Sequence, residues 1–484
     1  MRSDGTMVRT LVLAIALTAS AAPLLAAAST ADFADLGTVR NDTLFVARDA
    51  VIDAALAHNE MLKASSAMTD AADADALGAW RGFLPRLSLG TFRIRSNDAL
   101  YSFGFKLNQR RAAQMDFSAP MTVGAAPPPQ GDLLNYPGTN ETNIMQVKLQ
   151  QPVFNGGMAL YGKKAADAMG RAAAGQHRRA EQTVRFHAVQ AYEGLVLATS
   201  YARVMTEALA SADGHVSRAQ AMFDNEMVTE ADLLQAKVYR DALRQQLIEV
   251  QNMGRIAGEH IKLLTAVSTD LPVAAAAAGA AGDVPFDLAA TLSLDGIGLR
   301  SDVVASGEQA QAASHMTKVA RGAMVPHLNL QAEKNWFHHD ELFGNEADSW
   351  TFGVYATWDV FSGLENISGV KKARAQSRAA DYMHDFQLRQ ARVEARQAAY
   401  DVDAAARKFA VAGDAVAAAR EGLRIVTNMH REGLASMVDL LDVQAAATMA
   451  EGNLVQARHD YNVGRARFEF AGGGYAPDAA QAGE

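Results

Sequence analysis

The sequence repeats itself at a fixed spacing, and this repeat is the strongest constraint on its fold. The stretch Val153–Gly156 returns as Val360–Gly363, and Asp232–Leu234 returns as Asp439–Leu441, both shifted by 207 positions (360 minus 153, 439 minus 232). A spacing that holds over nearly 80 residues indicates an internal duplication. One structural unit is therefore predicted to occur twice.

The spacing changes once, and the change locates an insertion. Asn59–Leu62 matches Arg300–Val303 with a shift of 241, which exceeds 207 by 34 residues. These extra residues must lie between Pro85 and Pro152, where Pro127–Pro129 and neighbouring turn residues are typical of a loop. The first unit is predicted to carry a longer loop than the second.

The first residues have the pattern of an export signal. Arg2 and Arg9 lie beside the apolar segment Leu11–Ala19, and Ala26–Ala28 offers small side chains for cleavage. A membrane anchor is the alternative, but the apolar segment is short for a bilayer span. No later stretch is apolar over enough residues to predict a transmembrane helix.

Composition limits the partners. The 484 residues include no cysteine and carry a formal charge of −9. Disulfides cannot contribute to stability, and no basic cluster is present to neutralise phosphates, so a nucleic-acid partner is not expected.

The predicted organisation follows the repeat. Each repeat reads as a helix, two strands, a very long helix, a tip turn and a return helix. The first helix of the first repeat is predicted from about Leu44 to Gly82. The proline-free long helices, from about Met158 to Met222 and from Glu365 to Met429, would each extend ~100 Å. We predict a signal peptide at 1–28, a first repeat at 29–271, an Ala/Gly-rich linker at 272–299, a second repeat at 300–471 and a disordered tail at 472–484.

The strands alternate between apolar and polar residues. Trp350, Phe352 and Val354 share one face, and Thr351 and Gly353 share the other. This alternation is typical of a transmembrane β-barrel and also fits a half-buried hairpin in a soluble sheet. Four strands cannot close a barrel, so a membrane role requires several chains to combine their strands. A further alternation over Tyr101–Leu107 predicts that the first strand continues past residue 100.

The chain resembles the outer-membrane efflux protein family, also called the TolC family, over nearly all of its mature length. The resemblance rests on the duplicated order and on three motifs: Gln151–Gly157 (QPVFNGG), Asp359–Gly363 (DVFSG), and Glu432–Leu434 followed by Val438–Asp442.

The resemblance implies a mainly α fold with a small β part. Long antiparallel helical hairpins would form a trimeric α-barrel that extends as a tunnel into the periplasm. Four strands per chain would contribute to a 12-stranded transmembrane β-barrel in outer-membrane lipid. The homotrimer would dock a periplasmic adaptor (membrane fusion) protein and an inner-membrane transporter. Such a duct is a passive exit route without enzymatic activity or cofactor, and the sequence does not identify its cargo.

The resemblance places the adaptor-docking tips at two turns. Gly433 is expected to supply the positive φ that ends a long helix. Its repeat partner is Glu226, so Asn225 is expected to take the left-handed conformation in the first tip. The apolar tip residues are Met227, Val228 and Leu434, which could be exposed contacts or side chains buried inside the turn.

The resemblance also places carboxylates at the periplasmic pore entrance. Asp442 and Asp439 lie three residues apart on one helix face, and Asp232 is the repeat partner of Asp439. They could form a cation-attracting ring, or Asp439 and Asp232 could complement the dipole at a helix start. The arginine that relatives use to hold the entrance closed is replaced by Ala435, and an expected aromatic residue by His430.

Other chemical signals are weak. His338–Glu341 (HHDE) resembles a metal cluster, but consecutive ligands in a loop rarely converge on one ion. Gly296–Gly298 lacks the third glycine of a dinucleotide site, and no catalytic motif is present. We therefore expect an exit duct and no enzyme; the alternative is a coiled-coil structural protein of the periplasm or cell surface without a pore.

Overall fold

A computed structural model describes residues 36–113, 116, 137–276, 296–341, 343–344 and 346–474. The expected signal peptide, most of the linker, the Pro127–Pro129 loop and most of the tail lie outside these residues. The first half contains β1 (Gly37–Arg40), β2 (Thr43–Val46), α1 (Arg48–His58), α2 (Glu60–Gly78), β3 (Arg86–Ser96), α3 (Ala99–Asn108), β4 (Asn140–Phe154), α4 (Met158–Asp224), α5 (Glu230–Thr265) and β5 (Val273–Ala275). The second half contains α6 (Ser301–Gly322), β6 (His327–His338), β7 (Ala347–Thr357), α7 (Glu365–Arg431) and α8 (Met437–Gly472).

The fold is mainly helical with a small strand part. The two predicted long helices are confirmed as α4 and α7, each of 67 residues, and the two return helices as α5 and α8, each of 36 residues. Their sequences lack proline and are rich in alanine, which favours uninterrupted helices. In the described part of the chain, none of the helices combines the length and the apolarity that a bilayer crossing requires.

The chain divides into two compact units. The strand unit comprises Ala74–Ala168 and Gln311–Arg378, and the helical unit includes the described residues of Ala27–Asp73, Met169–Ala310 and Ala379–Glu484. In the strand unit, β3, β4, β6 and β7 form one antiparallel sheet in that order. β3 and β7 are its edge strands.

The helical unit has its core where α1, α4 and α5 meet a small sheet of β1, β2 and β5. Alanines such as Ala188, Ala212 and Ala395 are almost fully buried, so the helix backbones approach closely, and larger side chains fill the remaining space. The largest fully buried side chains of this core are Leu36, Leu44, Val46, Val51, Val189, Leu195 and Ile261.

Two sequence expectations are wrong. The first helix was expected from Leu44, but Leu44 pairs with Val273 in a parallel ladder, and the helix begins at Arg48. Tyr101–Leu107 is the helix α3 rather than a strand. The Asp98 side chain accepts a 3.0 Å hydrogen bond from the N–H of Tyr101 and so caps this helix.

Candidate functional site

The two helical tips turn in the same way. In the first tip the N–H of Met227 donates to the carbonyl of Met222 at 2.8 Å, and in the second the N–H of Leu434 donates to that of Met429 at 2.8 Å. This is the Schellman arrangement, which needs a left-handed residue just before the donor.

Glu226 takes the left-handed position in the first tip, with φ 60°, and Gly433 takes it in the second, with φ 73°. The expectation that Asn225 would adopt this conformation is therefore wrong. Its side-chain amide instead donates to the carbonyl of Ala221 at 2.7 Å. Asn225 thus satisfies one of the free carbonyls at the helix end, and Glu226 adopts the strained backbone.

Apolar side chains project from both tips. Met227 and Leu434 are each 69% exposed, so their side chains are not buried inside the turns. Val228 is half-buried. Exposed apolar residues on a turn are suited to contact with another protein, and adaptor contact remains a prediction for them.

The carboxylates of Asp232 and Asp439 close capping boxes at the starts of α5 and α8. Asp232 accepts a 3.1 Å hydrogen bond from the N–H of Thr229, and Asp439 accepts one of 2.9 Å from the N–H of Ser436. Hydrogen bonds from the hydroxyl and the N–H of Ser436 hold the pKa of Asp439 below its ordinary value. Both aspartates therefore stabilise helix starts, and a pore-lining role for them is a separate prediction.

Asp442 differs from these two residues. Its side chain is exposed, and within the described residues it makes no hydrogen bond or ion pair. It lies one helical turn beyond Asp439 on α8, so its charge remains available to solvent. Of the three predicted entrance carboxylates, Asp442 is the one without a structural role.

A histidine pins the second tip. Nδ1 of His430 lies 2.9 Å from the carbonyl oxygen of Ala435, and because a carbonyl only accepts, Nδ1 carries the proton. The equivalent residues of the first tip are Phe223 and Val228 (430 minus 207, 435 minus 207), which cannot form this bond. The second tip thus gains a link that the first tip lacks.

A polar cluster around the buried His215 lies where α4 meets α8 near the tips, and the sequence analysis did not predict it. Nη2 of Arg218 donates to Nδ1 of His215 at 2.8 Å, and the hydroxyl of Ser211 on the same helix donates to Gln444 of α8 at 3.2 Å. Burial, with the nearby charge of Arg218, lowers the pKa of His215 below its ordinary value. His215 therefore fits this interface as a neutral imidazole.

The four-stranded sheet has one polar and one apolar face. On the polar face Glu333 accepts hydrogen bonds from Gln146 at 2.7 Å and from Asn335 at 2.9 Å. On the other face Trp350 and Phe352 are exposed, Trp350 by 75%. A sheet with this division suits a wall between lipid and water.

The histidines at 338 and 339 lie at the turn after β6. Nδ1 of His338 accepts hydrogen bonds from the N–H groups of Asp340 and Glu341, so it caps the turn after β6. Within the described ranges, no group of three or more acidic, histidine or cysteine side chains could hold a metal ion.

The chain is similar to known outer membrane efflux proteins. Residues 298–474 match the family model described as Outer membrane efflux protein. The Outer membrane efflux protein BepC of Brucella suis biovar 1 (strain 1330) is 24% identical over 326 residues, which is 66% of this chain and 69% of that protein.

Solved structures match over almost the whole chain. The outer membrane protein VceC from Vibrio cholerae has a TM-score of 0.72 at 19% identity and covers 88% of this chain and 96% of its own. The CmeC outer membrane channel of Campylobacter jejuni has a TM-score of 0.73 at 18% identity and covers 91% of each chain. Together these matches give the fold of these outer membrane proteins, and residues 298–474 of the chain are similar to the outer membrane efflux protein family.

Proposed function

We propose that this protein is a passive exit duct of the outer membrane, in which three copies form one channel for efflux or secretion. The observation that carries the proposal is the four-stranded sheet with one polar face, one apolar face and two edge strands. Open edges carry unpaired N–H and C=O groups, which lipid does not tolerate. Three sheets joined edge to edge, β7 of one chain to β3 of the next, would close a twelve-stranded barrel.

The helical unit supports the same assembly. Phe386, Val393 and Tyr400 of α7 are exposed at seven-residue spacing, and Ile256 and Leu263 of α5 are exposed at the same spacing. Heptad spacing of apolar residues is typical of helices that pack against a partner helix. Neighbouring copies would cover these stripes and so complete an α-helical tunnel into the periplasm.

The tips would connect the duct to its pump. Met227 and Leu434 project from equivalent turns, and six such turns would face the periplasm in a trimer. A periplasmic adaptor protein would dock there and link the duct to an inner-membrane transporter. Asp442 would supply a ring of three carboxylates at the entrance, where it would attract cations.

The proposed assembly can be tested by extracting the protein from membranes and measuring the mass of the extracted particle. The mature protein should remain with outer membranes after washes with salt and alkali, should require detergent for release, and should have the mass of three chains by light scattering. A stable monomer that needs no detergent would contradict the duct and would favour the coiled-coil structural protein.

The test of docking is co-purification with the adaptor. Leu434→Asp should abolish adaptor binding without loss of the trimer, because a charge replaces an exposed apolar contact. Met449→Asp is the matched control, since Met449 is 65% exposed on α8 but lies away from the turn. Equal adaptor binding by both variants would refute docking at the tip.

A further inference from the structure

A pocket of about 350 Å³ lies on the polar face of the sheet, at the end of β3 that follows the turn Ala79–Gly82. Arg86, Gln150 and Gln331 stand directly opposite one another on three neighbouring strands, so their side chains share this face. Arg81, from the turn, completes the polar rim.

An aromatic ring forms one side of the pocket. Tyr355 pairs with Asn329 on the row next to Gln331. The ring of Tyr355 lies over Gly353, because a Cβ on residue 353 would be only 2.8 Å from Cε2 of the ring. The absence of a side chain at Gly353 leaves room for the ring in this position. Glycine at this position therefore determines the shape of the pocket.

Among the described residues, the lining of the pocket includes two arginines and no acidic residue. Arg81 and Arg86 are exposed, and in the part of the chain that the structure describes neither side chain forms an ion pair or hydrogen bond. The acid nearest in register is Glu333, whose carboxylate already accepts bonds from Gln146, Asn335 and Gln331. Two guanidinium groups thus remain free to bind an anion.

Other groups in the pocket define the ligand further. The amide of Asn329 and the hydroxyl of Tyr355 make no hydrogen bond among the described residues, so they can also donate. Leu84 and Pro152 provide apolar walls, whereas Leu330, which pairs with Val354, directs its side chain to the opposite face of the sheet. A few convergent donors beside apolar walls are typical of sites for small amphipathic molecules.

We propose that this pocket is a transit site for anionic amphiphiles, that is, solutes with a carboxylate or phosphate head and an apolar body. The inference rests on the proposed function, in which the polar face lines the pore. Arg81 and Arg86 would hold the head group, because guanidinium matches the geometry of both anions. The tyrosine ring, Leu84 and Pro152 would contact the body, and a trimer would offer three such sites.

The test is channel block in a planar bilayer. Octanoate and octyl phosphate should reduce the single-channel conductance of the full-length trimer, and octyltrimethylammonium should not. Arg81→Gln with Arg86→Gln should raise the half-blocking concentration at least about tenfold, the effect expected for the loss of charge-assisted hydrogen bonds. Inorganic phosphate should block far more weakly than octyl phosphate.

The matched control is Arg95→Gln, which removes an exposed arginine from the opposite face of the same strand and should leave block unchanged. Equal block of wild type and double variant would overturn the site while leaving the duct intact. Inorganic phosphate that blocks as tightly as octyl phosphate would overturn the amphiphile class. Absence of any conductance from the wild-type protein would overturn the duct and the site together.

Discussion

The guanidinium of Arg300 donates a 3.2 Å hydrogen bond to the carbonyl oxygen of Ala471. The first repeat contains the same relationship, because the amide of Asn59 donates to the carbonyl of Leu264 at 3.0 Å. The donors differ by 241 positions and the acceptors by 207, the two offsets of the duplication. In each repeat the residue just before a helix, α2 in the first and α6 in the second, thus satisfies a free carbonyl at the end of the return helix.

Arg300→Met should destabilise the protein. The Arg300 side chain is 1% exposed and binds Asp302 at 2.7 Å and Glu394 at 2.8 Å. Removing one partner of a buried ion pair leaves the other charge uncompensated, and since both carboxylates are partly exposed, we expect a cost of about 2–3 kcal/mol. Thermal unfolding in detergent is the measurement; Asn59→Ala, which removes a neutral donor, is the comparison and should cost about 1–2 kcal/mol.

The same cluster should make stability depend on acid pH. Burial raises the pKa of Asp302, but the hydrogen bonds of Arg300 and the charge of Arg179 outweigh it, so its pKa lies below the ordinary value. A lowered folded pKa stabilises the protein above the unfolded pKa of about 3.9, and this contribution is lost as pH falls further. The unfolding temperature of wild type should therefore fall more steeply than that of Arg300→Met between about pH 5 and pH 3. Parallel curves would contradict this role of Asp302.

The repeat-equivalent glycines Gly156 and Gly363 should respond differently to alanine. Both have φ 63°, but a Cβ on Gly156 would lie 2.3 Å from Cγ2 of Val325 and 2.5 Å from the carbonyl oxygen of Gly322, whereas Gly363 faces open space. Gly363→Ala should cost about 1–2 kcal/mol from backbone strain alone. Gly156→Ala adds a clash with backbone and should abolish trimer recovery from membranes. Equal yields of the two variants would count against this account.

Exchanging the tip residues should move stability in opposite directions. Glu226 adopts φ 60° with a side chain, and Gly433 adopts φ 73° without one. Glu226→Gly should stabilise the first tip by up to about 1 kcal/mol, and Gly433→Ala should destabilise the second by a similar amount. Hydrogen exchange of the amides around each turn measures both effects, and the unmodified tip of each variant serves as its internal control.

Neutralising Asp442 should change ion selectivity. Asp442→Asn removes a solvent-exposed carboxylate, so the cation-over-anion permeability ratio in a planar bilayer should fall by roughly a factor of two or more. Asp439→Asn instead weakens the capping box and should speed hydrogen exchange at the start of α8. An unchanged reversal potential in Asp442→Asn would remove the proposed carboxylate ring.

The sequence predicted the parts that depend on local pattern. Long proline-free helices and the alternation around Trp350 follow from the chain itself, and the helices end within two residues of their predicted limits. Helix α3 was not predicted because Tyr101, Phe103 and Phe105 alternate with smaller or polar residues, as in a strand. The structure instead shows a helix that is capped by Asp98 and buries Ser102 and Phe105, which lie three residues apart on one helix face.

The remaining features depend on distant segments. Leu44 reads as part of a helix until Val273 pairs with it, and no local signal marks that partner. The free arginines Arg81 and Arg86 reach one pocket only when the strand register is known. The alternation of Arg86 with apolar neighbours is sufficient to predict that it lies on the polar face. Its partners Gln150 and Gln331 could not be predicted, because they depend on the register between strands.

The parallel pairing of β2 with β5 has a consequence for how the protein is made. Leu44 emerges early during export, whereas Val273 emerges only after both helices of the first hairpin. Contacts between such remote segments form slowly because a large loop must close first. Until β5 forms, the edge of β2 that pairs with it therefore has unpaired N–H and C=O groups. A chain whose translocation stalls before residue 273 exposes this edge to other chains.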